Sequence, residues 1–166
     1  ISITQLVKLS TMNKKSKNTR KKYLKTRVKS ALKRRSHIKA YRPTLPVAQS
    51  WFRTLNRGLF NGRLKEPEIK IHSLHHDWGR CVADWDGRKS RAGRWNQKFL
   101  PFHLPMVFHI ELHRTFPTWK DFIETLAHEM VHLYQMTVME DKYSNHNSNF
   151  YSFRKKFKAL GLSLYQ

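Results

Sequence analysis

The sequence predicts an α+β domain preceded by a basic arm. It reads as an N-terminal helix, a three-stranded antiparallel sheet, a central helix with a His-Glu-x-x-His pattern, and a C-terminal helix. Three observations predict this. Apolar residues recur at helical spacing in three separate stretches, and between the first two lie three short segments of strand character. The charge is also segregated: residues 1–50 hold 15 of the 33 Lys and Arg and none of the 11 Asp and Glu. At 166 residues the chain fits one domain and a tail, divided here as 1–43 and 44–166.

The arm comes first. Residues 13–42 are dense in positive charge and poor in apolar side chains, so alone they should be flexible or only transiently helical. Tyr23, Leu24, Val28, Ala31 and Leu32 recur near helical spacing, which allows a basic helix laid along a nucleic-acid backbone. The candidate nucleic-acid contacts are Lys14, Lys15, Lys17, Arg20, Lys21, Lys22, Lys25, Arg27, Lys29, Lys33, Arg34 and Arg35. A net charge of +22 attracts polyanions generally. A solvated tail and an organelle transit peptide are the other readings of this segment. Met12 offers an alternative start to Ile1.

Pro43 and Pro46 mark the boundary, with Thr44 as N-cap of the first domain helix. Val47, Trp51, Phe52, Leu55 and Leu59 form its apolar face, and Gly58 or Asn61-Gly62 ends it. Residues 68–74, 80–85 and 106–112 read as strands, with Asp86-Gly87 as a turn and Val107, His109 and Glu111 on one face. Thr118 and Asp121 then suggest a capping pattern for a long helix with a Phe122, Leu126, Met130 and Leu133 stripe. A polar loop leads to a last helix, capped by Ser148 or Asn149 and ended by Gly161, with Phe150, Phe153, Phe157 and Leu160 at helical spacing. A single cysteine, Cys81, excludes an internal disulfide and reads as a small buried hydrophobe. No apolar run is long enough for a membrane span and no signal peptide is evident. The expected location is intracellular, in cytoplasm or nucleoid or packaged with nucleic acid, with no membrane partner.

The chemistry sits in "LAHEMVHLYQ". His128 and His132, four residues apart on a helix, project from one face and can reach one tetrahedral Zn²⁺. Glu129, beside them, can activate a zinc-bound water without ligating the metal. A catalytic site needs a third protein ligand. His146, in the polar loop, is the candidate, and Asp141 or Glu140 is the carboxylate alternative. His72, His75, His76, His109 and His113 read as structural, surface or substrate-side residues.

These residues resemble a known family. "SWFRTLNRGLFNGRLKEPEIKIHSL", Gly79 and Cys81, "ETLAHEMVHLYQ" and "HNSNF" together are similar to an SprT-like domain, from about residue 47 to 162. The resemblance implies a small zincin-like fold and one catalytic Zn²⁺ held by His128, His132 and His146, with Glu129 as general base. It also implies activity like that of Spartan-type proteases on DNA-bound proteins. Asn147 stands where the family has glycine, a substitution read as tolerable because Asn accepts left-handed backbone angles. The 166 residues hold no zinc ribbon, so the arm is the substitute DNA contact.

Two functions are weighed. One is a zinc metalloendopeptidase acting on protein substrates bound to DNA or other nucleic acid, the arm giving salt-dependent phosphate binding. A sheet edge would hold the peptide. Trp78, Trp85 and Trp95, near Arg80, Arg88, Arg91 and Arg94, would stack on bases or simply anchor the core. The alternative is a non-catalytic nucleic-acid-binding or virion packaging protein that keeps the zinc-binding fold. A ribosome-associated basic protein is a weaker third.

Overall fold

The computed structural model describes residues 3–35, 37–85, 88–91, 103–141 and 144–165, with side chains left aside for residues 3–17, 20 and 88–91. In chain order the elements are α1 (Ile3–Arg35), β1 (Lys39–Tyr41), α2 (Leu45–Leu59), β2 (Glu68–His72), β3 (Gly79–Trp85) and β4 (Arg88–Arg91). They continue as β5 (Val107–His113), β6 (Phe116–Thr118), α3 (Trp119–Thr137), α4 (Ser148–Tyr151) and α5 (Arg154–Leu160).

The arm departs from expectation. Its residues form a 33-residue helix, and Leu24, Val28 and Ala31 are buried in the core. Those three sit at i, i+4 and i+7, the spacing of one helix face, so the last turns of α1 have something to bury. The end of α1 packs on α2, α3 and α5. Leu24 occupies the space a side chain on Gly58 would need: a Cβ there would lie 1.8 Å from Leu24 Cδ2. The Arg27 guanidinium lies over the Trp51 ring at 4.9 Å and donates to Ser50 Oγ at 3.4 Å. The boundary at residue 43 therefore divides the composition but not the packing.

The sheet is also corrected. It has four strands in the order β2-β5-β3-β4. β2 runs parallel to β5, whereas β3 runs antiparallel to both β5 and β4. The sheet is mixed because α2 leads into β2 from the same end at which residue 107 enters β5, and alternation alone carries no direction. A separate two-stranded pair, β1 with β6, ties residues 39–41 to the start of α3. Ile110 and Leu112 of β5 and Cys81 and Ala83 of β3 face the core, against Leu126, Ala127 and Met130 of α3.

The opposite sheet face is polar. His109 is 2% exposed, with Nδ1 3.2 Å from Asp84 and Nε2 3.1 Å from Glu111, and Arg80 pairs with Glu111. Arg80 is thus engaged in the sheet rather than offered for base stacking. Trp85 packs against the core, Trp78 is half exposed against His113 and Phe116, and Arg94, Trp95 and the Asp86-Gly87 turn lie outside the described residues. Cys81 is buried, as expected. The predicted last helix is two: α4 and α5 are separate, and Asn147 rather than Ser148 or Asn149 is the N-cap. Among the described residues no helix is long and apolar enough to cross a membrane.

Candidate metal centre

α3 carries the site. It begins where expected: the Thr118 hydroxyl accepts from the Asp121 amide at 3.2 Å and donates to the Asp121 carboxylate at 2.6 Å. Phe122, Leu126, Met130 and Leu133 are buried, so the helix is held by its apolar face and cannot roll. His128 and His132 then project one turn apart toward the loop that carries His146.

The three imidazoles converge through the same atom. Nε2 of His132 is 3.2 Å from Nε2 of His128 and 3.2 Å from that of His146, and the His128–His146 separation is 3.1 Å. Three nitrogens at about 2.0–2.1 Å from a tetrahedral ion stand about 3.3 Å apart, so the triangle has the size an ion requires. Phe150 lies beneath all three rings, with centroids 4.9, 4.8 and 4.5 Å from those of His128, His132 and His146.

Burial sets the electrostatics. It pushes His128 down to about 4, with the neighbouring His146 adding to the effect. His132, fully enclosed, lies well below the ordinary histidine value for the same reason, and His146 is lowered by its own burial. Neutral imidazoles are the metal-binding form, so the site is ready to accept a cation. Glu129, 5% exposed, is pushed up to about 8 by burial, with the Asp77 charge contributing and the Cys81 amide opposing. Gly79 lets β3 approach this carboxyl: a Cβ there would lie 2.6 Å from Thr125 Cγ2 and 3.1 Å from Glu129 Cγ.

A polar network fixes the His146 loop. His132 Nδ1 meets Gln135 Oε1 at 2.9 Å, and Gln135 Nε2 donates to the Asn145 carbonyl at 2.9 Å and to Asp141 and Asn147 at 3.2 Å each. Asp141 also accepts from Asn147 at 2.8 Å and Asn149 at 3.0 Å. Asp141 is therefore the loop's anchor, and Glu140 is exposed; neither joins the three histidines. Asn147 needs no left-handed angle, with φ −90°; Ser144, at φ 42°, takes it. The Asn147 side chain accepts from the Asn149 and Phe150 amides, capping the helix that holds Phe150.

Gln135, Asp141 and Phe150 have roles that sequence reasoning missed. Gln135 alone had a readable signal, three residues past His132 on the same helix face. The candidate nucleic-acid residues are spread along α1. Lys21, Lys22, Lys25, Lys29, Lys33, Arg34 and Arg35 are exposed, and Arg27 is half-buried against Trp51. The side chains of Lys14, Lys15, Lys17 and Arg20 lie outside the described residues.

A His-Glu-x-x-His helix, a third histidine from a reversing loop and a mixed sheet behind the glutamate define a metallopeptidase-like domain with three histidines close enough to hold a metal ion. The SprT-like family model matches residues 48–164, and the chain belongs to that family. No curated protein and no solved structure matches the chain.

Proposed function

We propose that this protein is a zinc-dependent metallopeptidase that hydrolyses peptide bonds of proteins associated with DNA. The observation that carries the reading is the triangle of three Nε2 atoms, 3.1–3.2 Å on each side, with a buried carboxyl on the next residue of the same helix. An all-imidazole set of this size suits Zn²⁺, with the fourth position left for water or substrate. Bound zinc supplies Lewis acidity and a water of pKa near 7.

The chain's own groups do the rest. His128, His132 and His146 would hold the ion, and Gln135 fixes the His132 ring through Nδ1. A Glu129 oxygen takes the proton of the attacking water and returns it to the leaving amine nitrogen. A nearby divalent charge favours the ionised carboxyl, which offsets the burial that raises it. The exposed lysines of α1 support recruitment by phosphate contacts.

Glu129→Gln tests the reading. The variant is expected to bind zinc as the parent does and to lose cleavage of a DNA-bound protein. A parent that holds zinc and cleaves neither itself nor such a protein favours the alternative, a non-catalytic nucleic-acid-binding or packaging protein. The chain's net charge of +22 is the observation on that side.

A further inference from the structure

α5 carries cations that the chemistry above leaves unused. Phe157 and Leu160 are buried, so this helix lies with one face on the core. Lys155 and Lys158, three residues apart and so neighbours on the helix surface, are exposed. No Asp or Glu occurs before Glu66 or after Asp141, so neither α1 nor α5 contains an acid. Among the described residues no ion pair involves a cation of either helix. The two helices are neighbours: α1 packs on α5, and a Cβ on Gly161 would lie 3.7 Å from Leu32 Cδ1. Lys156 Nζ donates to the Leu59 carbonyl at 3.3 Å, next to the Gly58 on which Leu24 packs. The first residue of α5 meets the metal loop instead. The Arg154 guanidinium lies over the Tyr151 ring at 3.9 Å, and that ring is 6.5 Å from the His146 ring. α5 thus joins α1 to the edge of the metal centre. Like charges gathered on adjacent helices repel one another and attract a polyanion.

We infer that α5 is a second phosphate-binding element: with α1 it forms one basic track, along which a nucleic-acid backbone runs to the edge of the metal centre. The inference deepens the recruitment by phosphate contacts proposed above and rests on it. Lys155 and Lys158 meet phosphate oxygens, and Arg154 marks the end of the track nearest His146. The partner is recognised by its charge and not by its base edges, so binding is indifferent to base sequence and steep in salt. A protein carried on a nucleic acid held this way is brought alongside His146 rather than left at the far end of α1.

The test uses the full chain and a duplex DNA of arbitrary sequence, titrated at several salt concentrations. Lys155→Gln combined with Lys158→Gln is expected to flatten the slope of log affinity against log salt by about 0.9 for each lysine that meets a phosphate. Lys70→Gln is the control. Lys70 lies on β2, paired with Glu68 at 3.3 Å, and its replacement should leave the slope as it was. The duplex should also protect Lys155 and Lys158 from acetylation, read by mass spectrometry, and leave Lys70 as reactive as in the free chain. That second measurement is made on the parent and needs no variant to fold. A parent that binds no duplex overturns the recruitment reading and the track with it. A parent that binds, with the slope unchanged in the α5 double variant and both lysines unprotected, overturns the track alone. A slope that Lys70→Gln flattens as much per lysine reduces the binding to net charge and overturns the track as well.

Discussion

The metal centre and the basic helix handle charge in opposite ways. At the centre, burial drives ionisable groups toward neutrality: three histidines are held below their ordinary value and Glu129 is held above it. Along the described part of α1, Lys21, Lys22, Lys25, Lys29 and Lys33 stand in water, and the face beneath them is held by Leu24, Val28 and Ala31. In the first region three neutral imidazoles lie close enough together to hold a cation. The second carries standing charge that an anion would neutralise. The difference teaches where each substitution should be read, by metal and stability at the centre and by salt dependence on the helix.

The largest effect should come from breaking the centre. His132→Ala removes one corner of the triangle and the link to Gln135, and should abolish measurable zinc binding in equilibrium dialysis. Glu129→Gln should retain zinc and lower peptide hydrolysis by about 10²–10⁴-fold, the usual worth of a positioned acid–base group. Zinc lost with Glu129→Gln, or kept with His132→Ala, would reverse the assignment of holder and base.

The neutralised carboxyl gives a pH signature once zinc is removed. Burial raises Glu129 from 4.5 to about 8, so the folded metal-free chain binds its proton more tightly than the unfolded chain. That stabilisation is full below about 4.5 and lost as pH rises through about 8. The histidines run the other way: their folded values lie below 6.5, so they destabilise the fold only as pH falls below that value. Near 6.5 the unfolded chain's histidines are still half protonated, so Glu129 is isolated by comparing the parent with Glu129→Gln, its own slope being no more than about 1.4 kcal/mol per pH unit. In urea unfolding of the metal-free chains, the parent's stability relative to Glu129→Gln should fall between pH 6.5 and 8. A difference that does not change with pH would place the carboxyl in water.

What was legible in the sequence follows from how local each signal is. Thr118 with Asp121, the apolar stripe of α3 and the His128–His132 spacing are contained within one helix, and each is found as read. His146 needed the loop to reverse, which its distance along the chain and the family resemblance both suggested. The parallel pairing of β2 with β5 was not legible, because alternation fixes a face and not a direction. The Asp141 hub is tertiary: it is a carboxylate indistinguishable in sequence from a ligand. The docking of α1 was legible in part: Leu24, Val28 and Ala31 were read at helical spacing, but the charge around them assigned that helix to a nucleic acid and not to the core.

That docking has a test with a sign. In a flexible arm, Gly58→Ala touches nothing and should stabilise α2 by about 1 kcal/mol through helix propensity. With Leu24 packed on Gly58, the added methyl meets Cδ2 at 1.8 Å and must displace it. The expected result is a drop of about 1–3 kcal/mol in thermal or urea unfolding. Leu24→Ala should cost stability alone, yet lessen the cost of Gly58→Ala in the double variant, because the 1.8 and 2.7 Å contacts go and only the 2.9 Å contact with Cβ stays. A stabilising Gly58→Ala in the parent would return the arm to solvent and erase the structural half of the comparison.

The smallest effects belong to single charges on the helix. Lys21, Lys22, Lys25 and Lys29 are exposed, so replacing any one with Gln should change stability by less than about 0.5 kcal/mol. Binding is where such a change should show. A lysine that neutralises one phosphate of duplex DNA adds about 0.9 to the slope of log affinity against log salt, whatever the base sequence. The four single variants, titrated with duplex DNA at several salt concentrations, should each flatten the slope by that step or not at all. Arg27→Gln is the internal contrast. Its guanidinium covers Trp51 and reaches Ser50, so it should cost stability and leave the slope nearly as it was. If Arg27 moves the slope and the lysines do not, the phosphate-binding face of α1 is the one turned toward α2.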